Sequence, residues 1–293
     1  MQRTLRSRGT CLAVFVSTHL DRLVSRFSAF AGKRVHPLSQ LTVGSLLNVL
    51  IGSTAMPAGV LVALSSQNLR QAGIFVICMI LAIGVHEFAH AWSAHRLGDP
   101  VPEGQGRLTL NPIAHMDPIG TLALPFIMGL GFFGGGMIFG WGKPVMTEPR
   151  NYTRKITMRA GMAIVAFAGP LSNLLQAALA LAIMYGLKLG GVVDGRTFAA
   201  SGAFDHPLRL YYYLNLILFA FNLLPIHPLD GGKVLAWLLG PKHQHIDDFM
   251  RQYGPMILLV LIIAPMIGMP SVLGWLLSPI ISAGHSSLVG VLS

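Results

Sequence analysis

Residues 73–85 read GIFVICMILAIGV and lead directly into HEFAH at 86–90, an H-E-x-x-H motif inside an apolar run. On a helix, residues four apart are rotated by about 40° and rise about one turn, so the imidazoles of His86 and His90 can reach one metal ion. Glu87 lies beside them, where it can take a proton from a metal-bound water. The pattern predicts a helix that carries part of a zinc hydrolase site.

The apolar setting argues against a chance occurrence of this motif. An ionisable side chain at the centre of a membrane helix costs about 2.5–3.5 kcal/mol on insertion scales, so three of them within one turn need a compensating partner. A bound cation would be that partner. An internal polar cluster that is satisfied without a metal is the alternative.

The composition is that of an integral membrane protein. Of the 293 residues 53% are hydrophobic and 11% are charged, and the mean hydropathy is +0.62. We expect an all-α polytopic membrane protein with about five to six transmembrane helices. The apolar stretches long enough to cross the hydrocarbon are 42–66, 72–95, 119–141, 160–188, 209–229 and 254–281.

Charge and cysteine content narrow the possible partners. The net charge of +10 is spread over the loops without a recognition motif, so we interpret it as a topology signal and expect no nucleic-acid partner. The two cysteines, Cys11 and Cys78, support neither a disulfide framework nor a cysteine zinc site. Any zinc must therefore be bound by His, Asp or Glu.

The N-terminal part differs from the rest. Residues 1–41 hold seven Lys or Arg and one acid, and we interpret them as a basic cytoplasmic tail preceding a membrane domain at 42–293. A cleaved signal, a transit peptide or a misassigned start site are the alternatives for this tail. We expect a multi-pass protein of the plasma membrane with its N-terminus in the cytoplasm.

A glycine cluster interrupts the third apolar stretch. Five of the eight residues in 129–136 are glycine, which favours a break over a straight helix. If 119–141 is a re-entrant hairpin, 17 Lys and Arg lie on the cytoplasmic side and four outside; if it spans, the split is 12 to nine. The positive-inside rule favours the hairpin. His86 then lies about 20 Å along an inward-running helix, in the cytoplasmic half of the bilayer.

Two histidines leave a zinc site incomplete, because a catalytic zinc usually has three protein ligands and a water. Asp230 follows a stretch with two prolines and precedes two glycines, which break an apolar helix and let a carboxylate point inward. His227, in the same stretch, is the rival. The other candidates are His95, and His115 and Asp117 of a loop that could cap the site.

Five separated motifs resemble those of the site-2 protease family, the intramembrane zinc metalloproteases. They cover roughly residues 45–270, and the basic first 40 residues match nothing in the family. The motifs are HEFAH at 86–90, NP at 111–112 with HMDPIGT at 115–121, GWGKPV at 140–145, AGPLSN at 168–173, and NLLPIHPLDGG at 222–232.

The resemblance implies specific roles at four positions. His86, His90 and Asp230 would bind one Zn²⁺ per chain, and Glu87 would be the catalytic acid/base. It also implies that Asn173 and Asn222 are polar groups near the site, although the amide of Asn173 could simply bond a neighbouring helix. The chain is similar to the compact subgroup that lacks a PDZ or a CBS domain.

The function predicted for 42–293 is hydrolysis of transmembrane protein substrates near the cytoplasmic side of the bilayer, in regulated intramembrane proteolysis. Such a substrate must unwind, and the alternating residues 107–110 predict a small membrane-associated β element to pair with it. A divalent-metal transporter and a non-catalytic membrane binding protein are the alternatives. Neither substrate identity, triggering signal nor oligomeric state follows from the sequence.

Overall fold

The structure is a computed structural model that describes residues 65–130, 140–194, 198 and 206–292. The predicted N-terminal tail, most of the 42–66 stretch and most of the glycine cluster lie outside these residues. The described part is all-helical. No strand occurs in it, and residues 107–110, the predicted β element, lie in an irregular loop.

The described residues contain eight α-helices and five short 3-10 or π-helical segments, joined by loops. The α-helices are α1 (Ser66–Arg96), α2 (Val101–Gly104), α3 (Leu124–Gly129), α4 (Met158–Leu189), α5 (Pro207–Asn222), α6 (Asp230–Leu239), α7 (Gln244–Ile263) and α8 (Val272–Leu292). A π-helix, Pro118–Ala123, leads into α3. The 3-10 turns are Pro112–His115, Pro149–Asn151, Pro241–His243 and Ala264–Ile267.

Three of these helices, α1, α4 and α8, are long and apolar enough to cross a membrane. The two longest begin at side-chain caps: Ser65 Oγ accepts from the Asn68 N–H and Thr157 Oγ1 from the Ala160 N–H, each at 3.2 Å. The predicted 254–281 stretch is two helices instead of one. Gly268, at φ +84°, ends the 3-10 turn that follows α7, and Pro270 lies just before the start of α8.

Helices α1, α4 and α5 pack against one another and form the inner core. Met79, Ala82 and Leu214 are fully buried between them. The outer surfaces are apolar as well, since Ile77 on α1 and Leu175 on α4 are 58% and 63% exposed. An apolar surface on both sides of a helix layer is the expected arrangement when lipid is the solvent.

The end of α1 lies directly beside the start of α4. The Thr153 N–H donates to the carbonyl of Leu97 (2.7 Å), and Asp99, which is fully buried, accepts from the Glu148 N–H (2.7 Å) and from Asn151 Nδ2 (2.9 Å). The two helices are therefore antiparallel neighbours. The chain that connects them, residues 97–157, therefore begins and ends at the same end of this helix pair.

A segment at 140–148 runs without a turn or bend and lies over α1. It is tied to the preceding loop, because the Trp141 N–H donates to the Gly120 carbonyl (3.1 Å) and the Lys143 N–H to the His115 carbonyl (2.9 Å). A Cβ on Gly142 would lie 2.5 Å from Ile83 Cγ2, so a side chain there would push the segment off the helix. Because Gly142 has no side chain, the segment can approach α1 closely.

Candidate metal centre

The structure brings His86, His90 and Asp230 together, and their three ligand atoms converge in a buried cluster. The Nε2 atoms of the two histidines are 3.0 Å apart, and Asp230 Oδ2 lies 3.3 Å from His86 Nε2 and 3.2 Å from His90 Nε2. Donor atoms around a tetrahedral zinc with bonds of about 2.0–2.1 Å are separated by about 3.3 Å. The spacing therefore fits one zinc ion.

The second nitrogen of each imidazole faces an oxygen. His90 Nδ1 donates to the carbonyl of Val165 (2.7 Å), and His86 Nδ1 donates to Asn173 Oδ1 (2.6 Å). A carbonyl oxygen can only accept, so the proton is on Nδ1 and each Nε2 presents a lone pair. Two lone pairs and a carboxylate that converge in a buried cluster fit a cation.

Gly169 of α4 gives the two imidazole rings their space. A Cβ at this position would lie 2.4 Å from both Cε1 and Nε2 of His90 and 2.7 Å from His86 Cε1. The sequence shows Gly169 as part of the AGPLSN motif, but it does not show which side chains this glycine faces. Its role depends on a contact across 79 residues of sequence, which no local pattern reveals.

Asp230 reaches the cluster because the chain is unwound before it. Residues 223–229 are non-helical, and Asp230 is the first residue of α6. A Cβ on Gly231 would lie 2.3 Å from the carbonyl oxygens of Leu223 and Leu224, so only glycine lets the new helix start against the unwound chain. The predicted break at the prolines and glycines is present.

His227, the rival third ligand, is turned elsewhere. Its Nε2 lies 2.8 Å from Asp247 Oδ1, and Arg251 Nε donates to Asp247 Oδ2 at 3.0 Å. Burial raises the pKa of the Asp247 carboxyl, but the hydrogen bonds from His227 and Arg251 outweigh burial and hold that pKa below its ordinary value. His227 thus anchors the unwound chain to α7 and is not part of the cluster.

Glu87 lies at the wall of a cavity of about 440 Å³ that the metal cluster also lines. Its Oε2 accepts from the Val145 N–H at 3.0 Å, so the 140–148 segment holds this carboxylate in place. Glu87 does not belong to the group that could hold a metal. A carboxylate beside a metal centre, but outside its ligands, can exchange protons with water or substrate.

The remaining candidates have separate places. Asn222 lines the cavity, and its Nδ2 donates to the Leu218 carbonyl (3.0 Å). His115 is buried away from the cluster and donates from Nε2 to the Thr109 carbonyl (2.9 Å), so it holds the loop beneath the 140–148 segment. Asp117 caps the π-helix, and His95 lies 3.6 Å from Glu103 near the polar end of α1.

Comparison with known proteins identifies the family of the chain. The family model for peptidase family M50 matches residues 74–264, a range that contains His86, His90 and Asp230. The chain belongs to peptidase family M50. The predicted resemblance to the site-2 proteases and the predicted class of enzyme, a zinc metalloprotease in a membrane protein, are confirmed.

Two bacterial proteins illustrate the similarity. One, from Bacillus subtilis, is named "Putative zinc metalloprotease YwhC"; it is 33% identical over 218 residues, which are 74% of this chain and 90% of that protein. The other, from Mycolicibacterium smegmatis, is named "Putative zinc metalloprotease Rip2" and is 30% identical over 79% of this chain and 85% of its own length. No solved structure matches the chain.

Gly169→Ala should weaken zinc binding at least about tenfold, because the added methyl must displace ring atoms of His86 and His90. Gly186→Ala in the same helix is the matched control, since a Cβ there meets nothing within 4 Å. Zinc content after dialysis against a chelator measures the difference. Equal zinc retention by the two variants would contradict the packing argument.

Asp230→Ala should lose zinc, whereas His227→Ala should keep it and lose thermal stability, because His227 bonds Asp247. The measurement is metal stoichiometry by elemental analysis, with the melting temperature in detergent as a second readout. A full zinc complement in Asp230→Ala would place the third ligand elsewhere.

Proposed function

We propose that this protein is an intramembrane endopeptidase that cleaves transmembrane segments of other membrane proteins close to the cytoplasmic side of the bilayer. His86, His90 and Asp230 would hold one zinc ion, and Glu87 would be the catalytic acid/base. The observation that carries the proposal is the buried donor cluster beside Glu87 in one cavity, within helices long enough to cross a membrane. The family match supports the same reaction.

Peptide hydrolysis needs an activated water and a polarised carbonyl, which zinc supplies through Lewis acidity and by lowering the pKa of a coordinated water to about 7. Glu87 takes the proton of the attacking water and passes it to the departing amine nitrogen. The Val145 N–H bonds one oxygen of this carboxylate and fixes its position during both transfers. Asn222 lines the same cavity, so it would lie next to a bound substrate.

The 140–148 segment is a better candidate than residues 107–110 for pairing with an unwound substrate. Backbone groups of alternate residues in an extended chain point to opposite edges. Trp141 and Lys143 bond the loop behind them, whereas the N–H and C=O groups of Gly140 and Gly142 have no partner within the part of the chain that the structure describes. Both glycines line the cavity that Glu87 also lines, so their backbone groups are available to a substrate in that cavity.

Two sets of contacts support the re-entrant reading of 119–141. The carbonyl of Trp141 accepts from Thr121 Oγ1 at 2.7 Å, so the two ends of the stretch meet. The end of α1 and the start of α4 also meet, through the bond from Thr153 to Leu97. A chain that crossed the bilayer once between these points could not bring them together.

A divalent-metal transporter remains the second class of function to exclude. Ion pathways carry polar groups on several helices along the membrane normal. Among the described residues one group of three His, Cys, Asp or Glu side chains converges, and it lies next to a carboxylate suited to proton transfer. This arrangement favours a protease.

Glu87→Gln should retain one zinc per chain and lose about 10²–10⁴-fold in kcat, because the amide cannot accept the proton of water. Cleavage of a purified single-pass membrane protein in detergent, followed by mass spectrometry, measures the loss. Glu103→Gln, which removes an exposed carboxylate outside the cavity, is the control and should cleave normally. Substantial cleavage by Glu87→Gln would reject the mechanism, and zinc uptake into vesicles without cleavage would favour the transporter.

Single cysteines at Glu103 and Lys155, in a background lacking Cys11 and Cys78, should both react only with reagents that enter from the cytoplasm. A cysteine at Val192 should react from outside, because α4 carries the chain across the membrane. Labelling of intact and permeabilised cells with an impermeant maleimide makes the comparison. Labelling of Glu103 and Lys155 positions from opposite sides would show that 119–141 spans.

A further inference from the structure

The two zinc-binding histidines are oriented by different means. His90 Nδ1 bonds a main-chain carbonyl, that of Val165, whose direction cannot change. His86 Nδ1 faces the side-chain amide of Asn173, which could present either its oxygen or its nitrogen. If the nitrogen faced His86, the ring would have to accept at Nδ1 and would carry its proton on Nε2, where the metal binds. Some other contact must therefore select the orientation of Asn173.

That contact is a chain of hydrogen bonds that starts at the backbone of α5. Asn215 Nδ2 donates to the Tyr211 carbonyl at 2.9 Å, one turn earlier in the same helix. Because this carbonyl can only accept, Asn215 must turn its Oδ1 the other way. That oxygen accepts from Asn173 Nδ2 at 2.9 Å.

A second acceptor that cannot reverse favours the same orientation of the Asn173 amide. Its Nδ2 also lies 3.4 Å from the Ala82 carbonyl on α1, so two acceptors surround the nitrogen and Oδ1 remains for His86. Asn173 and Asn215 are both fully buried, and water cannot compensate for a reversed amide. Reversal of Asn173 would set its oxygen against two acceptors.

We propose that Asn215 is a positioning residue of the metal centre: it fixes the polarity of Asn173 and, through it, the His86 tautomer that presents an unprotonated Nε2 to zinc. Asn215 contacts neither the cluster nor the cavity. The inference rests on the proposed zinc site at His86, His90 and Asp230. It assigns the middle of α5 a part in the metal site, whereas the sequence motifs include only Asn222 at the end of this helix.

If Asn215 served only as a polar link between helices, its loss should have the same effect as the loss of another buried polar link. Gln176 provides the comparison, because it is buried in the same layer, accepts from Tyr211 Oη and donates to the Ala82 carbonyl at 3.4 Å. It shares the Ala82 carbonyl with Asn173 but bonds neither Asn173 nor His86. Loss of Gln176 therefore removes helix-to-helix hydrogen bonds without freeing the amide that faces His86.

The experiment measures the zinc dissociation constant of the full-length protein in detergent, by competition with a chromophoric chelator. Asn215→Leu should raise the constant about 10- to 100-fold, the usual effect of losing an outer partner of a metal-bound histidine. Gln176→Leu should stay within about twofold of the parent protein. Asn215→Asp should also stay close to it, because a neutral carboxyl group keeps an O–H toward Tyr211 and a C=O toward Asn173.

Cobalt absorption gives a second readout that does not depend on activity. At saturating Co²⁺, Asn215→Leu should show a weaker and shifted d–d band, whereas Gln176→Leu and Asn215→Asp should reproduce the parent spectrum. If Asn215→Leu does not fold, Asn215→Ser, which leaves a small acceptor too short to reach Asn173, serves in its place with the same expected loss.

Two outcomes would overturn the proposal: unchanged zinc affinity in Asn215→Leu, or an equal loss in Asn215→Leu and Gln176→Leu at equal melting temperature. The second would mean that general destabilisation weakens the site. Failure of the underlying zinc site is recognised separately, because the parent protein would then bind no stoichiometric zinc and Asp230→Ala would not differ from it.

Discussion

The structure depends on the repulsion among three electron-pair donors that converge in a buried cluster. His86, His90 and Asp230 approach to between 3.0 and 3.3 Å, and a cation bound among them would offset that repulsion. The surrounding features keep these donors in place until the ion binds. Gly169 leaves room for the rings, the unwound chain before α6 presents the carboxylate, and Asp247 anchors that chain through His227.

The parts of the site that could be predicted are those encoded within a single turn of helix. His86, Glu87 and His90 follow from a spacing of four residues in an apolar run, and the break before Asp230 follows from proline and glycine. The helix break favours Asp230 over His227, and the family resemblance implies the same residue. The contact that turns His227 away could not be predicted from local pattern, because it depends on Asp247, a partner 20 residues away.

Other features have no signal in a single sequence. Asn215 is one amide in an apolar helix, and its relation to His86 runs through Asn173 on another helix. Residues 107–110 alternate like a strand but form a loop, since no neighbouring strand is present in the described part of the chain to bond them. The 140–148 segment contains two glycines and a proline, residues that are depleted in strands, so local pattern does not predict that it lies over α1.

Backbone N–H groups of the 140–148 segment bond Gly120, His115, Glu87 and Asp99, and further hydrogen bonds join the segment to Gln105, Arg107 and Thr121. One of these contacts is with Glu87, the proposed catalytic carboxylate. The register in which an unwound substrate paired with Gly140 and Gly142 would therefore fix the position of its peptide bonds relative to Glu87. A slip to the next equivalent pairing would shift it by two residues, about 6.8 Å, and present a different peptide bond. The cleavage position would be counted along the backbone, and side chains would select it only through the register that they permit.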